Sequence, residues 1–170
     1  MNPRSRGPRA VCPLTVDVAL ADRRPWAPSA ARLAQWATLA AGPHGRAAEL
    51  AVRVVGRRES RRLNRTWRGQ DHATNVLSFP ADSQPAAVRP RPLGDLVICA
   101  AVVADEARLQ GKTLAAHWAH MVVHGVLHLL GYDHELEPAA QRMERRERRL
   151  LATLGFPDPY LADTTHEATP

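Results

Sequence analysis

The segment from Thr113 to His134 constrains the fold more than any other part of the chain. It reads TLAAHWAHMVVHGVLHLLGYDH and is apolar apart from a row of histidines at positions 117, 120, 124 and 128. At about 100° per residue, these four side chains fall within a stripe about 80° wide. The pattern predicts one long helix that is capped by Thr113 and ends at Gly131, with its imidazoles aligned on one side.

The remaining elements predict a small domain of the α/β (α+β) class. Alternating or β-branched residues predict four strands, at 14–20, 50–55, 75–79 and 95–99. Helical spacing and Gly or Pro stops predict helices at 29–41, 59–67, 101–109, 113–130 and 138–154. The proline-rich segment 81–92 predicts a loop. We therefore expect one four-stranded mixed sheet, packed with five to six helices.

Length and composition set the limits of this domain. The 170 residues, 45% of them hydrophobic, suffice for one core. We expect a flexible basic leader at 1–13, a single domain at 14–160 and a frayed tail at 161–170. No window of about 20 apolar residues occurs, so we expect no membrane span, and no signal sequence follows the leader. Two distant cysteines, Cys12 and Cys99, favour a reducing compartment.

The charge of the chain favours acidic partners without identifying one. The net charge is +6, and all but one of the 23 basic residues are arginine, the exception being Lys112. Arginine suits phosphate, which is consistent with a nucleic-acid partner. A nucleotide bias of the source genome explains the same composition equally well. The charge alone therefore does not identify a function.

The histidine row contains a candidate metal site. Two pairs have the spacing that lets both imidazoles reach one ion, namely His120 with His124 and His124 with His128. Gly131 suits a left-handed position that turns the chain sharply, which brings the following histidine back beside His128. The predicted ligands are His124, His128 and His134. His117 and His120 are interpreted as packing or supporting residues.

Three neutral imidazoles without a thiolate suit Zn²⁺ and leave a fourth position for water. Structural zinc sites are usually closed and rich in cysteine, whereas an open site of this kind indicates catalysis, because the ion lowers the pKa of its water. Ligand type alone also admits Ni²⁺, Cu²⁺ and Fe²⁺. We expect one Zn²⁺ per chain at the end of the long helix.

HGVLHLLGYDH, at 124–134, resembles the H-G-x-L-H-L-x-G-Y-D-H signature of the YbeY family of bacterial endoribonucleases. Further stretches similar to the same family are LNRTWRG at 63–69, TNVLSFP at 74–80 and the segment 93–125. The similarity covers about residues 52–134 and, more loosely, the chain to position 160. Trp67 stands where Tyr is common, and Asn75 stands where many members have Asp.

The resemblance implies that His124, His128 and His134 bind zinc and that Arg68 is the functional arginine. It implies a cytoplasmic, metal-dependent endoribonuclease that cuts single-stranded RNA. The implied roles are maturation of the 16S rRNA 3′ end and quality control of 70S ribosomes. The implied partners are therefore rRNA and the ribosome or its proteins, with no membrane and no DNA.

The residue types suggest how such a cleavage could proceed. The metal polarises an oxygen or delivers hydroxide, while the Arg68 guanidinium holds the phosphate. Either metal-bound water or the 2′-hydroxyl attacks, and the sequence leaves this open. Trp67 could stack an unpaired base, but we favour a core position for it.

Two other functions remain open at this point. The first is a metallopeptidase or amidohydrolase, although Gly125 stands where the HExxH motif has its glutamate. The second is a zinc-stabilised RNA- or ribosome-binding module without activity. Asp133 could orient an imidazole or cap the turn, and the position of Asp95 relative to the site is not fixed by the sequence.

The charged segment 144–154 predicts a solvated helix face over apolar residues, with a Glu144–Arg148 pair. The alternative is a patch that faces RNA or the ribosome, centred on Arg145 and Arg149.

Overall fold

A computed structural model describes residues 13–82, 90–133 and 136–161. The predicted basic leader and the predicted tail lie outside the described residues, apart from Pro13 and Leu161 at their inner ends. Within the described ranges, no helix is both long and apolar enough to cross a membrane.

The four predicted strands form one mixed sheet. They are β1 (Thr15–Leu20), β2 (Ala48–Val55), β3 (Val76–Pro80) and β4 (Arg91–Cys99). Their order is β1-β2-β4-β3, with β1, β2 and β4 parallel and β3 antiparallel at one edge. Strand β4 begins four residues before its predicted start. Pairing with β2 outweighs the local proline signal there, and the register shifts between Glu49 and Leu50.

Five α-helices surround the sheet, as predicted. They are α1 (Ala30–Ala41), α2 (Arg57–Arg68), α3 (Ala100–Leu109), α4 (Leu114–Leu129) and α5 (Ala139–Thr153). A short 3-10 turn, which the sequence did not reveal, follows α1 at Gly42–Gly45. The Ser29 and Thr113 hydroxyls cap α1 and α4 by accepting hydrogen bonds from backbone N–H groups. The predicted helix boundaries differ from the observed ones by at most two residues.

Helix α4 is the central helix of the fold. It packs against β3 and β4 on one sheet face and contacts α1, α3 and α5. Helix α2 covers part of the other face, where Leu63 packs near Leu77 and Val97. The histidine row is therefore held by the main hydrophobic core, because Trp118, Val122 and Val126 on the same helix are completely buried.

Gly125 marks the closest approach of α4 to the sheet. A Cβ atom at this position would lie 2.1 Å from Leu96 Cδ1, so only glycine fits without displacing the core. The Ser78 hydroxyl on β3 donates a hydrogen bond of 3.1 Å to the Gly125 carbonyl. This contact fixes the height and rotation of α4, and therefore the position of the adjacent His124.

Candidate metal centre and active site

The predicted histidine row is present on α4 and changes character along the helix. His117 and His120 are buried, with 2% and 8% of their surface exposed, whereas His124 and His128 are half-buried. Successive ring centroids lie 6.3, 6.1 and 4.6 Å apart. The row thus begins inside the core and ends at an accessible position near the C-terminus of the helix.

The last two imidazoles of the row converge. His124 Nε2 and His128 Nε2 lie 3.1 Å apart, close to the about 3.3 Å expected for two nitrogens on one tetrahedral ion. After α4 the chain turns at Gly131, whose φ of +87° lies in the left-handed region, and Tyr132 N donates 3.0 Å to Leu127 O. The turn agrees with its prediction. His134 lies outside the described residues, so its role as third ligand stays a prediction.

A buried carboxylate supports His124 from behind. Glu147 on α5 is completely buried, and its Oε1 lies 2.8 Å from His124 Nδ1. Its Oε2 accepts a hydrogen bond from the Tyr160 hydroxyl, and His120 Nε2 lies 3.5 Å from Oε1. Burial alone would raise the pKa of Glu147, but the facing His120, His124 and Tyr160 groups outweigh it and lower that pKa to about 2.

Glu147 and Tyr160 are not among the site residues that the sequence predicts. The segment 144–154 does carry exposed arginines and the predicted Glu144–Arg148 pair, at 3.2 Å. Glu147, however, follows Met143 by four residues and precedes Leu151 by four, so it lies on the apolar stripe of α5. That spacing was the available signal that this carboxylate points inward.

Two overlapping groups of side chains could hold a metal ion. His120, His124 and Glu147 each offer one ligand atom, and these atoms lie within 4.8 Å of one another. His124 and His128 form the second group, through their Nε2 atoms. Burial lowers the pKa of His120, and neither of its ring nitrogens has a hydrogen-bond partner among the described residues. Neutral imidazole nitrogens with an adjacent carboxylate are a donor set that suits a divalent transition metal.

His117 has a different partner. Its Nε2 lies 2.8 Å from Glu106 Oε2, and the Asn75 amide donates to both Glu106 oxygens, at 3.2 and 3.0 Å. Burial raises the pKa of Glu106, but the bonds from His117 and Asn75 outweigh it and lower the pKa below its usual value. Asn75, to which no acid–base role was assigned, thus holds the carboxylate that binds His117.

Arg68 is the last residue of α2, is exposed, and makes no hydrogen bond or ion pair with the part of the chain that the structure describes. The loop after it is fixed to α2, since Ser60 Oγ donates 2.8 Å to Thr74 O and Asn64 Nδ2 donates 2.9 Å to His72 O. The guanidinium is therefore accessible on a rigid helix end.

The prediction that Trp67 belongs to the core is wrong. Its side chain is 67% exposed and meets Phe79 in a T-shaped arrangement, with ring centroids 5.9 Å apart. Helix α2 ends here beside the edge strand, so nothing covers the outer side of the ring within the described residues. Phe79 faces α2 and its neighbour Ser78 binds α4, so Arg68 and the histidine row lie on opposite faces of the sheet, on either side of its edge strand β3.

Two acidic candidates are located as follows. Asp95 is exposed on the sheet face opposite α4, because its neighbour Leu96 points toward Gly125. Asp133 lies just after α4, beyond the turn at Gly131. Asp95 is thus separated from the histidine row by the sheet.

The geometry at Gly125 disfavours the peptidase alternative. A glutamate at this position would be built into Leu96 rather than toward the imidazoles. The general base that the HExxH arrangement provides therefore has no place on this helix.

Comparison with known proteins identifies relatives over most of the chain. The family model for endoribonuclease YbeY matches residues 26–155. The endoribonuclease YbeY of Alkalilimnicola ehrlichii is 60% identical over 139 residues, which cover 80% of this chain and 84% of that protein. The endoribonuclease YbeY of Stutzerimonas stutzeri is 56% identical over 138 residues, covering 81% and 86% of the two chains. The corresponding Halorhodospira halophila protein is 58% identical over 136 residues, covering 79% and 88%.

A solved structure has the same fold. The solution structure of a Thermotoga maritima protein aligns with a TM-score of 0.52 at 22% identity, covering 86% of this chain and 99% of that one. The predicted small α/β domain is thereby confirmed.

Proposed function

Because the chain belongs to the endoribonuclease YbeY family, we propose that it cleaves single-stranded RNA with one Zn²⁺ held by His124, His128 and His134. The relatives named as endoribonucleases support an enzyme that hydrolyses RNA. The proposal adds the zinc ion, the specificity for single-stranded RNA and the third ligand.

The convergence of two imidazoles is the observation that carries the proposal. His124 Nε2 and His128 Nε2 are 3.1 Å apart at an accessible helix end. The 2.8 Å contact between His124 Nδ1 and Glu147 is the usual arrangement behind a metal-binding histidine, since such ligands bind a carboxylate or carbonyl through their other nitrogen. The donor set thus fits a zinc ion at this position.

When bound, the ion supplies a Lewis acid that stabilises negative charge on the scissile phosphate and activates water. The side chains of the protein bind and orient the RNA. The Arg68 guanidinium binds phosphoryl oxygens in a forked geometry that lysine cannot reproduce. The exposed face of Trp67, next to Arg68, offers a surface on which an unpaired base stacks. Attack by water and attack by the 2′-hydroxyl are both compatible with this arrangement.

The family supports a biological substrate as well. We place the enzyme in the cytoplasm, acting on the 3′ end of 16S rRNA and in quality control of 70S ribosomes, with the ribosome or its proteins as partners. The net charge of +6 favours association with such a polyanion.

Metal analysis combined with an RNA cleavage assay tests the proposal. We expect about one zinc per chain and cutting of unstructured RNA that stops on chelation and returns with added Zn²⁺. Arg68→Lys should lower the cleavage rate about 100-fold while the zinc content stays unchanged. A 2′,3′-cyclic phosphate product would assign the first attack to the 2′-hydroxyl.

Two results would contradict the proposal. Zinc-dependent peptide turnover without RNA cleavage would indicate the peptidase class. RNA binding that persists after chelation, without any cleavage, would indicate a binding module instead.

A further inference from the structure

We propose that Glu147 and Tyr160 are positioning residues, which hold His124 in the one ring orientation that binds the metal. This inference rests on the proposed function, because it takes His124 and His128 as ligands. It assigns a role to two side chains that come from α5 and from the segment after it.

The two ring nitrogens of His124 face different partners. Nδ1 lies 2.8 Å from Glu147 Oε1, whereas Nε2 lies 3.1 Å from His128 Nε2. A carboxylate accepts, so Nδ1 carries the proton and the unprotonated Nε2 faces His128. The bond to Glu147 therefore fixes both the tautomer and the rotation of the ring toward the second imidazole.

Glu147 is itself fixed, because both its oxygens are engaged. Oε2 accepts a hydrogen bond from the Tyr160 hydroxyl, Oε1 accepts one from His124 Nδ1, and the side chain has no exposed surface. A buried carboxylate costs stability unless it is fully paired, and an apolar residue would satisfy the α5 core better. A charged side chain at this position is thus better explained by the site than by packing.

Tyr160 is held in turn by the segment around it. The Arg148 guanidinium lies 4.9 Å from the centre of the Tyr160 ring and 3.0 Å from Asp158. Asp158 also accepts from Tyr160 N at 2.9 Å, and Lys112 Nζ donates 2.7 Å to Pro159 O. These contacts hold the phenol against the carboxylate. The position of Glu147 therefore depends on the segment after α5 as well as on α5.

Glu147→Gln against Glu106→Gln is the matched test. Both substitutions remove a carboxylate charge that lies 2.8 Å from an imidazole of α4, but only the first acts on His124. Zinc affinity is measured for the full-length chain by competition with a chromophoric chelator, starting from metal-free protein. We expect Glu147→Gln to weaken zinc binding about 10- to 100-fold and Glu106→Gln to leave it within about threefold.

Two further measurements separate positioning from folding. Thermal unfolding of the metal-free variants reports any general loss of stability, which both substitutions share. The ring nitrogen NMR shifts of His124 report its tautomer, which we expect to be the Nδ1–H form in the unsubstituted protein and a mixture in Glu147→Gln. Tyr160→Phe should weaken zinc binding by about threefold to tenfold, and it provides the test if Glu147→Gln does not fold.

The outcomes are distinct. Equal zinc affinity for Glu147→Gln and the unsubstituted protein overturns the inference alone. Zinc binding that survives His128→Ala and disappears in Glu147→Gln overturns it as well, since Glu147 would then be a direct ligand together with His120. A native chain that binds no zinc contradicts the proposed function itself.

Discussion

The two halves of α4 carry the same residue type on the same stripe, yet they differ in chemistry. In the N-terminal half, His117 is buried and bound to Glu106, and His120 is buried beside Glu147. In the C-terminal half, His124 and His128 are half-buried and their Nε2 atoms converge. A row of histidines in the sequence therefore contains both structural and candidate ligand positions.

A carboxylate next to a histidine does not distinguish the two halves, because each half has one. Glu106 lies 2.8 Å from His117, and Glu147 lies 2.8 Å from His124. The difference is in the second ring nitrogen. That of His117 is buried without a partner among the described residues, whereas that of His124 faces another imidazole. A metal-binding histidine in this row is therefore distinguished by the surroundings of the ring nitrogen that does not contact the carboxylate.

The largest expected effect separates the two halves directly. His124→Gln should lower zinc affinity by more than about 100-fold and reduce RNA cleavage to background, because a ligand is lost. His117→Gln should change zinc affinity by less than about threefold. Chelator competition and a cleavage assay measure both. Equal losses for the two variants would mean that the halves are not distinct.

The boundary between the halves is tested at Gly125. Gly125→Ala should reduce the free energy of unfolding by about 1–3 kcal/mol, because the added methyl meets Leu96. In an unobstructed helix the same change would stabilise by about 1 kcal/mol. Urea denaturation measures whether the substitution lowers or raises the free energy of unfolding. A more stable variant would show that α4 does not approach the sheet this closely.

A smaller effect is expected at His120, which decides between the two candidate metal groups. His120→Phe removes two buried nitrogens that lack hydrogen-bond partners among the described residues, but it also removes the 3.5 Å contact of Nε2 with Glu147. We therefore expect the free energy of unfolding to stay within about 1 kcal/mol. Zinc affinity should be nearly unchanged. A loss of zinc binding comparable to that of His124→Gln would place the ion in the inner group with Glu147 instead.

The smallest effect is the pH dependence that Glu106, the partner of His117, contributes to stability. The pKa of Glu106 is lowered in the folded chain, so its charge contributes stability above its unfolded pKa, about 4.3. That contribution is lost as the pH falls from about 5 toward the lower folded value. The difference in unfolding free energy between the native chain and Glu106→Gln should therefore be constant from pH 6 to 8 and shrink at pH 4. Urea titrations at each pH measure it, and a difference that grows on acidification would contradict the assignment.

Local patterns predicted the fold and the histidine row on α4. The strands, the helices and the turn at Gly131 follow from periodicity and glycine chemistry, which act over a few residues. The pairing of His124 with His128 also follows from spacing on one helix.

The remaining parts depend on contacts between distant segments. The Glu106–His117 bond joins α3 to α4, and Glu147 and Tyr160 reach His124 from later in the chain. Glu147 lies within a run of charged residues, which favoured a solvated face. The exposure of Trp67 depends on where α2 ends relative to β3. The spacing of Glu147 on α5 indicates that it points inward, but no local pattern identifies the residues that it or Glu106 contacts.

The order of the site along the chain has a consequence for biosynthesis. His124 and His128 emerge from the ribosome before Glu147, and Tyr160 emerges last of the four. A growing chain therefore carries the imidazole pair before the groups that fix it. For an enzyme proposed to cut RNA, the complete arrangement of these four side chains therefore forms only after the segment around Tyr160 has left the ribosome.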